Sequence, residues 1–188
     1  VTCHGLNQWN GVAIVSTDAP EEVFVGFPGQ PGFAKDPDKP QDREARALGA
    51  RIRGVEMWSL YVPNGREITD RHYDYKLDFL YHLAHYAENN AQSKLLLTGD
   101  FNIAPRDEDV WDIEAFRGKT HVTEPERAAF QMLEESGLEE VTRRFTEDQR
   151  YTYFDYKGMR FQKNEGMRID FQLASAPLAQ HVTGAQVD

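Results

Sequence analysis

The segment Leu95–Pro105, with the sequence LLLTGDFNIAP, constrains the fold of this chain more strongly than any other segment. Its three consecutive leucines leave no polar face, which is typical of a β-strand that is covered on both sides. A strand of this kind needs packed layers above and below its sheet. The sequence therefore predicts a sheet between other elements, with this strand ending at Gly99.

Two polar side chains follow the leucine strand. If the backbone stays extended past Gly99, Asp100 and Asn102 point to the same side and Phe101 points into the core. A carboxylate that deprotonates water and an amide that holds a phosphate oxygen are the groups that phosphodiester hydrolysis needs. An Asx turn after the strand is the alternative interpretation of the same two residues.

The rest of the chain contains many short β-branched or aromatic runs and two clear helices. One helix is predicted over Asp70–Glu88, and a second extends from a capping box at Thr123 to about Ser136, with Gly137 as its C-terminal cap. The Gly- and Pro-rich segment Phe27–Gln41 is predicted to be a loop. The predicted strands are Gly11–Ser16, Glu22–Gly26, Ala50–Arg53, Val55–Val62, Lys94–Thr98, Tyr151–Asp155 and Arg168–Ala174. This pattern predicts an α+β fold.

Composition limits the class of protein. The 188 residues suffice for one domain, and no linker divides residues 1–188. With 21 basic and 31 acidic residues, the net charge of −10 argues against a broad nucleic-acid-binding surface but allows a local basic face. The only cysteine, Cys3, cannot form an internal disulfide, so we expect a cytoplasmic protein, associated with the nucleoid in a bacterium. No apolar run is long enough for a membrane-spanning helix.

Two further strand ends carry candidate site residues. Tyr61 ends the run before Pro63, where its phenol could reach a phosphate; the alternative is a core tyrosine with a satisfied hydroxyl. Arg168 and Asp170 are two residues apart and share one face of a predicted strand. An aspartate within an apolar strand is costly unless it is paired or functional, and the alternative here is a simple ion pair between Arg168 and Asp170.

Basic and aromatic side chains surround the segment Tyr151–Tyr156. Arg144 precedes it, and Lys157 and Arg160 follow it in a loop. Charged groups that hold a phosphate backbone, with aromatic groups between them, predict contact with DNA. A solvated hairpin loop with scattered charges is the alternative. Lys76 is expected on the surface of its helix.

Five segments in chain order carry a resemblance to a known family. They are Asn10–Ile14, Tyr61–Gly65, Gly99–Asn102, Phe154–Tyr156 and Arg168–Phe171. In this order the chain resembles the exonuclease III family of the endonuclease/exonuclease/phosphatase superfamily, from about Asn10 to Ser175. The Gly-Asp-Phe-Asn segment is shared across the superfamily, whereas the Tyr-Val-Pro-Asn-Gly and Arg-Ile-Asp segments favour the DNA-repair branch.

The resemblance implies a four-layer α/β sandwich, with two packed mixed sheets flanked by helices. It implies a Mg²⁺-dependent hydrolase, with Mn²⁺ as a substitute, in which water attacks a phosphodiester of double-stranded DNA. The implied activities are those of a 3′-5′ exodeoxyribonuclease and an abasic-site endonuclease in DNA base excision repair. The implied substrates are abasic sites and 3′ ends, and a monomer is expected.

The family roles transfer to matching positions. The resemblance implies that Asp100 activates water next to the metal and that Asn102 holds the scissile phosphate and assists at the metal. It implies that Tyr61 contacts the phosphate in the transition state and that Asp170 is an essential acid. Tyr153 replaces a tryptophan that presses on the DNA in many relatives. Arg144, Lys157, Arg160 and Arg168 complete the expected set of DNA-contacting residues.

The chain also departs from the family pattern. A metal-binding Glu in a strand before Asn10 and a Ser-Asp-His motif after Ser175 are not found. We therefore expect terminal strands of the fold to be missing, and we expect residues 1–188 alone to be weakly active or inactive while a longer version is active. A phosphatase or phosphodiesterase acting on other phosphate esters and a module that only binds are the alternatives.

Overall fold

The computed structural model describes residues 1–6 and 8–187 and contains two β-sheets. A two-stranded antiparallel sheet consists of β1 (Thr2–Gly5) and β2 (Gly11–Ile14). The spatial order of the six-stranded sheet is β3 (Glu22–Val25), β4 (Ala47–Ile52), β5 (Val55–Tyr61), β6 (Leu95–Asp100), β8 (Asp170–Ser175) and β7 (Leu138–Glu140). In this mixed sheet β5 and β6 are parallel, and the other neighbouring strands are antiparallel.

Within the part of the chain that the structure describes, four α-helices accompany the sheets: α1 (Arg71–Asn90), α2 (Ile113–Phe116), α3 (Glu124–Glu135) and α4 (Ala176–Ala179). The side chain of Asp70 caps the first turn of α1 by accepting from the backbone N–H of His72. The predicted capping box at Thr123 is present at the start of α3, and Gly137 has a φ of 98° just after its end. Both predicted long helices are therefore confirmed.

The two faces of the six-stranded sheet are covered differently. On one face, α1 and α3 bury the largest apolar cluster, in which Leu95, Leu97 and Phe101 are fully buried. On the other face, β1 and β2 pack over β4 and β5, and α4 packs over the β7–β8 end. Two packed sheets with helices around them confirm the predicted α+β fold class, and β6 is an inner strand, as its leucines require.

The structure differs from the expected elements in several places, and the short helices α2 and α4 are among the elements that were not predicted. Tyr151–Asp155 forms no strand, because its pairing is limited to an isolated bridge between Tyr153 and Met167. The short strands β1 and β7 were not predicted; β7 has only three residues, of which two are glutamates. Lys76 was expected on the surface of α1, but its side chain is on the inner face of that helix and is completely buried. Among the residues that the structure describes, no helix combines the length and apolar character needed to cross a membrane.

Candidate active site

Three predicted catalytic side chains lie in one row across the six-stranded sheet. Tyr61 of β5 is the register partner of Asp100 of β6, and Asp100 is the register partner of Asp170 of β8. Partners on adjacent strands project from the same face and have neighbouring Cβ atoms. The sheet therefore brings one phenol and two carboxylates together, where the parallel strands β5 and β6 end.

Gly99 permits a close approach of β5 and β6 just before this row. Its φ is +137°, and a Cβ atom built on it would lie 2.1 Å from the carbonyl oxygen of Leu60. A larger residue would push the two strands apart, because the obstructing atom belongs to the backbone. The close approach of the two strands therefore explains why the Gly-Asp-Phe-Asn segment begins with a glycine.

A tight turn follows the row. The backbone N–H of Asn102 donates to Oδ1 of Asp100 at 2.8 Å, and Asn102 has a left-handed φ of 52°. The extended backbone therefore ends before Asn102, and the Asx-type hydrogen bond considered as the alternative is present. The side-chain amide of Asn102 nevertheless donates to Oδ2 of Asp100 at 3.2 Å, so the pair stays together. Phe101 points into the core, as predicted.

Two residues that the sequence analysis did not assign complete the polar group. Nδ2 of Asn64 donates to Oδ1 of Asn102 at 3.0 Å, and Nε2 of His121 lies 3.2 Å from the same oxygen. Nδ2 of Asn102 also donates to the carbonyl of Val62 at 2.9 Å. The Asn-Gly turn after Tyr61 could have indicated Asn64 by its position, whereas no sequence signal pointed to His121.

Except for Asp170, this group opens into a cleft of about 400 Å³. Asp170 lines a separate pocket together with Thr98 and Thr152. Tyr61, Asp100, Asn102 and the predicted DNA-contacting residue Tyr153 line it. The ring of Tyr61 also packs against the cluster of β2 and β4, with the guanidinium of Arg46 at 4.9 Å from its centroid. The sequence left two interpretations of Tyr61 open, a core tyrosine and a residue at the site. In the structure its ring packs against the core and the residue also lines the cleft.

The predicted basic residues fall into different places. Arg160 lines the cleft, forms an ion pair with Glu165 and lies 5.2 Å from the Trp111 ring centroid. Lys157 is exposed, with its ammonium 5.7 Å from the Tyr156 ring centroid. Both can meet a ligand that extends out of the cleft.

Arg144 and Arg168 lie outside the cleft. The guanidinium of Arg144 donates to the carboxylate of Glu139 in β7 and to the backbone carbonyl of Ala179 at the end of α4. The side chain of Arg168 is only 3% exposed and donates to the hydroxyl of Thr142 at 2.7 Å. The prediction that Arg168 contacts DNA directly is therefore wrong, because its guanidinium is buried within the protein. The alternative of an ion pair with Asp170 is also wrong, since the acidic partner of Arg168 is Glu140, at 3.7 Å.

Burial and like charge make the two carboxyls hard to ionise together. Burial, followed by repulsion from Asp170, raises the pKa of Asp100 to about 7. Burial also raises the pKa of Asp170, although a hydrogen bond from Thr152 opposes that change. A carboxyl with a pKa near neutrality is suited to accepting a proton from water.

The same electrostatics bear on a divalent metal. Two neighbouring carboxylates that repel each other are hard oxygen ligands, and a cation between them would relieve the repulsion. Asn102 fits the predicted ligand role less well, because both Asn64 and His121 already approach its amide oxygen. Within residues 1–6 and 8–187, no group of three or more His, Cys, Asp or Glu side chains could hold a metal. Asp100 and Asp170 therefore offer two carboxylate groups to a divalent cation.

Replacing Asp170 by Asn is expected to lower the pKa of Asp100 to a value between 3.8 and about 7, because repulsion disappears while burial remains. A folded-state pKa that is raised means that Asp100 stabilises the fold fully below about pH 4 and loses this contribution as the pH rises through about 7. As the pH rises from about 4 to about 7, the Asp170→Asn variant should therefore lose less thermal stability than the wild type. Carboxyl ¹³C NMR titration and melting curves without metal measure both effects.

Asp155→Asn is the matched control for this titration, because Asp155 lines the same cleft but is not a source of the Asp100 shift. An unchanged pKa of Asp100 in Asp170→Asn would contradict the assigned coupling of the two carboxyls.

The chain is similar in sequence and structure to known DNA-processing proteins. The model of the Endonuclease/Exonuclease/phosphatase family matches residues 2–188. Exodeoxyribonuclease III of Haemophilus influenzae is 30% identical, with 94% of this chain and 68% of the relative aligned. The 3′-5′ exonuclease NExo from Neisseria meningitidis is 35% identical with a TM-score of 0.86, covering 97% of this chain and 70% of that one.

Two further solved structures are similar. One is the 3′ phosphatase NExo from Neisseria bound to a product DNA hairpin, at 36% identity and a TM-score of 0.83, covering 95% of this chain and 68% of that one. The other is an AP endonuclease from Archaeoglobus fulgidus, at 32% identity and a TM-score of 0.78, covering 90% and 64% respectively. The family match and the Haemophilus relative show that this chain belongs to the endonuclease/exonuclease/phosphatase family, in the branch related to exodeoxyribonuclease III.

Proposed function

We propose that this protein is a divalent-metal-dependent DNA-repair hydrolase that acts on phosphate esters at 3′ ends and at abasic sites. The observation that carries the proposal is the row of Tyr61, Asp100 and Asp170 beside the linked amides of Asn64 and Asn102. The names of the relatives support DNA as the substrate class: exodeoxyribonuclease III, a 3′-5′ exonuclease, a 3′ phosphatase and an AP endonuclease.

In the proposed mechanism, Asp100 removes a proton from the attacking water. Burial and repulsion raise the pKa of Asp100 to about 7 without metal, and a bound cation would lower that pKa and so favour the ionised carboxylate that accepts the proton. A Mg²⁺ or Mn²⁺ ion held by Asp100 and Asp170 would supply positive charge for the phosphate oxygens. Tyr61 donates its phenol hydrogen to a non-bridging phosphate oxygen as negative charge develops there.

The two amides orient the phosphate. Asn64 and Asn102 are joined by a 3.0 Å hydrogen bond, and Asn102 is also tied to Val62 and Asp100. Groups that are fixed before the substrate arrives need no reorganisation during the reaction. We propose that a phosphate oxygen accepts from the second amide hydrogen of Asn64, which Asn102 holds in place, so that the phosphorus lies in line with the water that Asp100 activates.

A local basic and aromatic surface suits DNA despite the net charge of −10. The loop after Tyr153 carries Lys157, Arg160 and Lys163, together with exposed rings at Tyr156 (89%) and Phe161 (71%). Lysine and arginine side chains bind backbone phosphates, and exposed rings stack on unpaired bases. This surface lies at the mouth of the cleft, because Tyr153 and Arg160 line it.

Substitution of both Lys157 and Lys163 by alanine is expected to weaken DNA binding. The slope of the logarithm of the binding constant against the logarithm of the salt concentration should fall by an amount that corresponds to about two phosphate contacts. The loss should be similar for different DNA sequences, since phosphate contacts carry no base information. Fluorescence anisotropy in EDTA at several salt concentrations measures the slope. The control is Lys35→Ala with Lys39→Ala, two exposed lysines in the loop before β4. An unchanged slope in the Lys157 and Lys163 variant would contradict the proposed surface.

A substrate panel tests the proposed function. The full-length protein is incubated with Mg²⁺ and a recessed 3′ end, a 3′-phosphate at a nick, a single abasic site or a nitrophenyl phosphate ester. Hydrolysis of one or more of the DNA substrates with a much higher kcat/KM than that of the small ester supports the proposal. The opposite preference would assign the protein to hydrolysis of non-DNA phosphate esters, which its acidic charge favours.

We further propose that residues 1–188 act as one domain of a monomeric protein in the cytoplasm. The single exposed Cys3 is compatible with a reducing compartment. Sedimentation of the protein with and without a DNA duplex tests the monomer, and a dimer in both samples would contradict it.

A further inference from the structure

A buried lysine lies directly under the amide pair of the candidate site. The ammonium of Lys76, on α1, is inaccessible to solvent and forms an ion pair with Glu126 of α3, which is also inaccessible. Neither residue reaches the cleft, and neither has a role in the proposed mechanism. A buried lysine is costly to maintain, so the groups that it contacts indicate what it does.

The contacts of Lys76 lead to the two asparagines. Nζ donates to the backbone carbonyl of Asn102 at 2.6 Å and to the backbone carbonyl of Asn64 at 3.3 Å. The hydroxyl oxygen of Thr120 lies 3.3 Å from Nζ and 3.2 Å from the carbonyl oxygen of Asn64. One ammonium thus holds the backbones of both residues whose side-chain amides meet in the site.

The backbone that Lys76 holds is strained. Asn102 adopts a left-handed φ of 52°, and Arg66, two residues after Asn64, has a φ of 54°. Such conformations persist at functional sites only where surrounding contacts fix them. The 2.6 Å hydrogen bond to the carbonyl of Asn102 is a contact of this kind, because it fixes the peptide that follows the left-handed residue.

Glu126 completes the cluster from the other side. Its Oε1 accepts from Lys76, from the hydroxyl of Thr120 and from the backbone N–H of His121 at 2.9 Å. His121, at a φ of 86°, in turn lies beside the amide oxygen of Asn102. Hydrogen bonds therefore link the ion pair to the backbones of Asn64, Asn102 and His121, and all three residues line the cleft.

We propose that the Lys76–Glu126 ion pair positions Asn64 and Asn102 for phosphate binding and turnover. This inference rests on the proposed function, since it assigns a role within the same site. Lys76 is a positioning residue, because it acts through the two carbonyls and touches no substrate. Loss of the pair allows the two amides to move relative to Asp100, and a displacement of about 1 Å in a site of this kind costs about 100-fold in rate.

The test uses a double variant, Lys76→Met with Glu126→Gln, in the full-length protein. This change leaves neither partner as a lone buried charge, so the fold is retained while the donor to the two carbonyls is lost. The matched control is Arg117→Met with Glu114→Gln, which removes an exposed ion pair by the same chemistry. Melting curves, DNA affinity in EDTA, and kcat and KM with Mg²⁺ are measured for all three proteins.

The expected result is a folded double variant whose kcat falls about 100-fold, with DNA affinity in EDTA within about threefold of wild type. A kcat within about threefold of both wild type and control would overturn the inference and reduce the pair to a structural one. If the wild-type protein hydrolyses no DNA substrate, the proposed function fails instead, so the two failures are distinguishable.

If the double variant does not fold, the wild-type protein provides the test. Lys76 is expected to give a slowly exchanging ¹⁵Nζ signal, because its ammonium is buried and hydrogen-bonded. Product DNA added in EDTA should shift this signal if Asn64 and Asn102 bind phosphate through the backbones that Lys76 holds. The exposed Lys39 is the reference. A Lys76 signal that does not change at saturating DNA overturns the inference.

Discussion

Replacement of Asp100 by Asn is expected to lower kcat on DNA by about 1000-fold, within the range measured when a general base is removed. The amide cannot accept the proton of water, and it also removes one of the two carboxylates that fit a divalent ion. The substitution leaves room for the hydrogen bond from the backbone of Asn102 to the side-chain oxygen at position 100. Single-turnover rates with saturating enzyme measure the loss without interference from product release.

The control for this prediction is Asp148→Asn, since Asp148 is exposed and does not line the cleft. Its rate should equal that of the wild type. The Asp100 variant should remain folded and, without metal, should be more stable than the wild type above about pH 7, where the buried carboxylate is ionised. A rate within about tenfold of the wild type would exclude Asp100 as the base.

Lys76→Met alone is expected to destabilise the fold by about 3–5 kcal/mol, since it leaves the carboxylate of Glu126 buried without its counter-ion. Burial by itself would raise the pKa of Glu126, but the ammonium of Lys76 and the neighbouring donors lower it. Without Lys76 that compensation is reduced, and the carboxyl must take up a proton or remain as an isolated buried charge. Chemical denaturation measures the change in the free energy of unfolding.

Two comparisons make this second prediction specific. Arg117→Met removes an exposed partner of Glu114 and should change stability by less than about 1 kcal/mol. Adding Glu126→Gln to Lys76→Met should recover much of the lost stability, because no lone charge remains. Equal destabilisation by Lys76→Met and Arg117→Met would contradict the described burial of the pair.

The position of the site could be predicted from sequence because its side chains follow recognisable strands. The leucine run indicated β6, and Asp100 follows it directly. Tyr61 and Asp170 were found at the ends of other strand-like segments. Their arrangement in one row depends on strand register and order, which a single sequence does not specify, because register is set by tertiary pairing.

Other features could not be read from the sequence. Lys76 occupies a helical position that would place most lysines at the surface, and its burial depends on partners distant in sequence, above all the carboxylate of Glu126, 50 residues away. Arg168 was misassigned for the same reason, since Glu140 and Thr142 enclose it. His121 lies in a loop without a periodic pattern, and its contact with Asn102 appears only in the folded chain.

Metal-dependent DNA hydrolysis by the full-length protein is the most direct test of the account. The initial rate is measured on a labelled duplex with one abasic site and a recessed 3′ end, in Mg²⁺ and in EDTA, for wild type and Asp100→Asn. We predict shortening from the 3′ end, incision 5′ to the abasic site, or both, in Mg²⁺ only and at a rate about 1000-fold lower for Asp100→Asn. Hydrolysis that persists in EDTA, or an Asp100→Asn rate within about tenfold of the wild-type rate, would contradict the account.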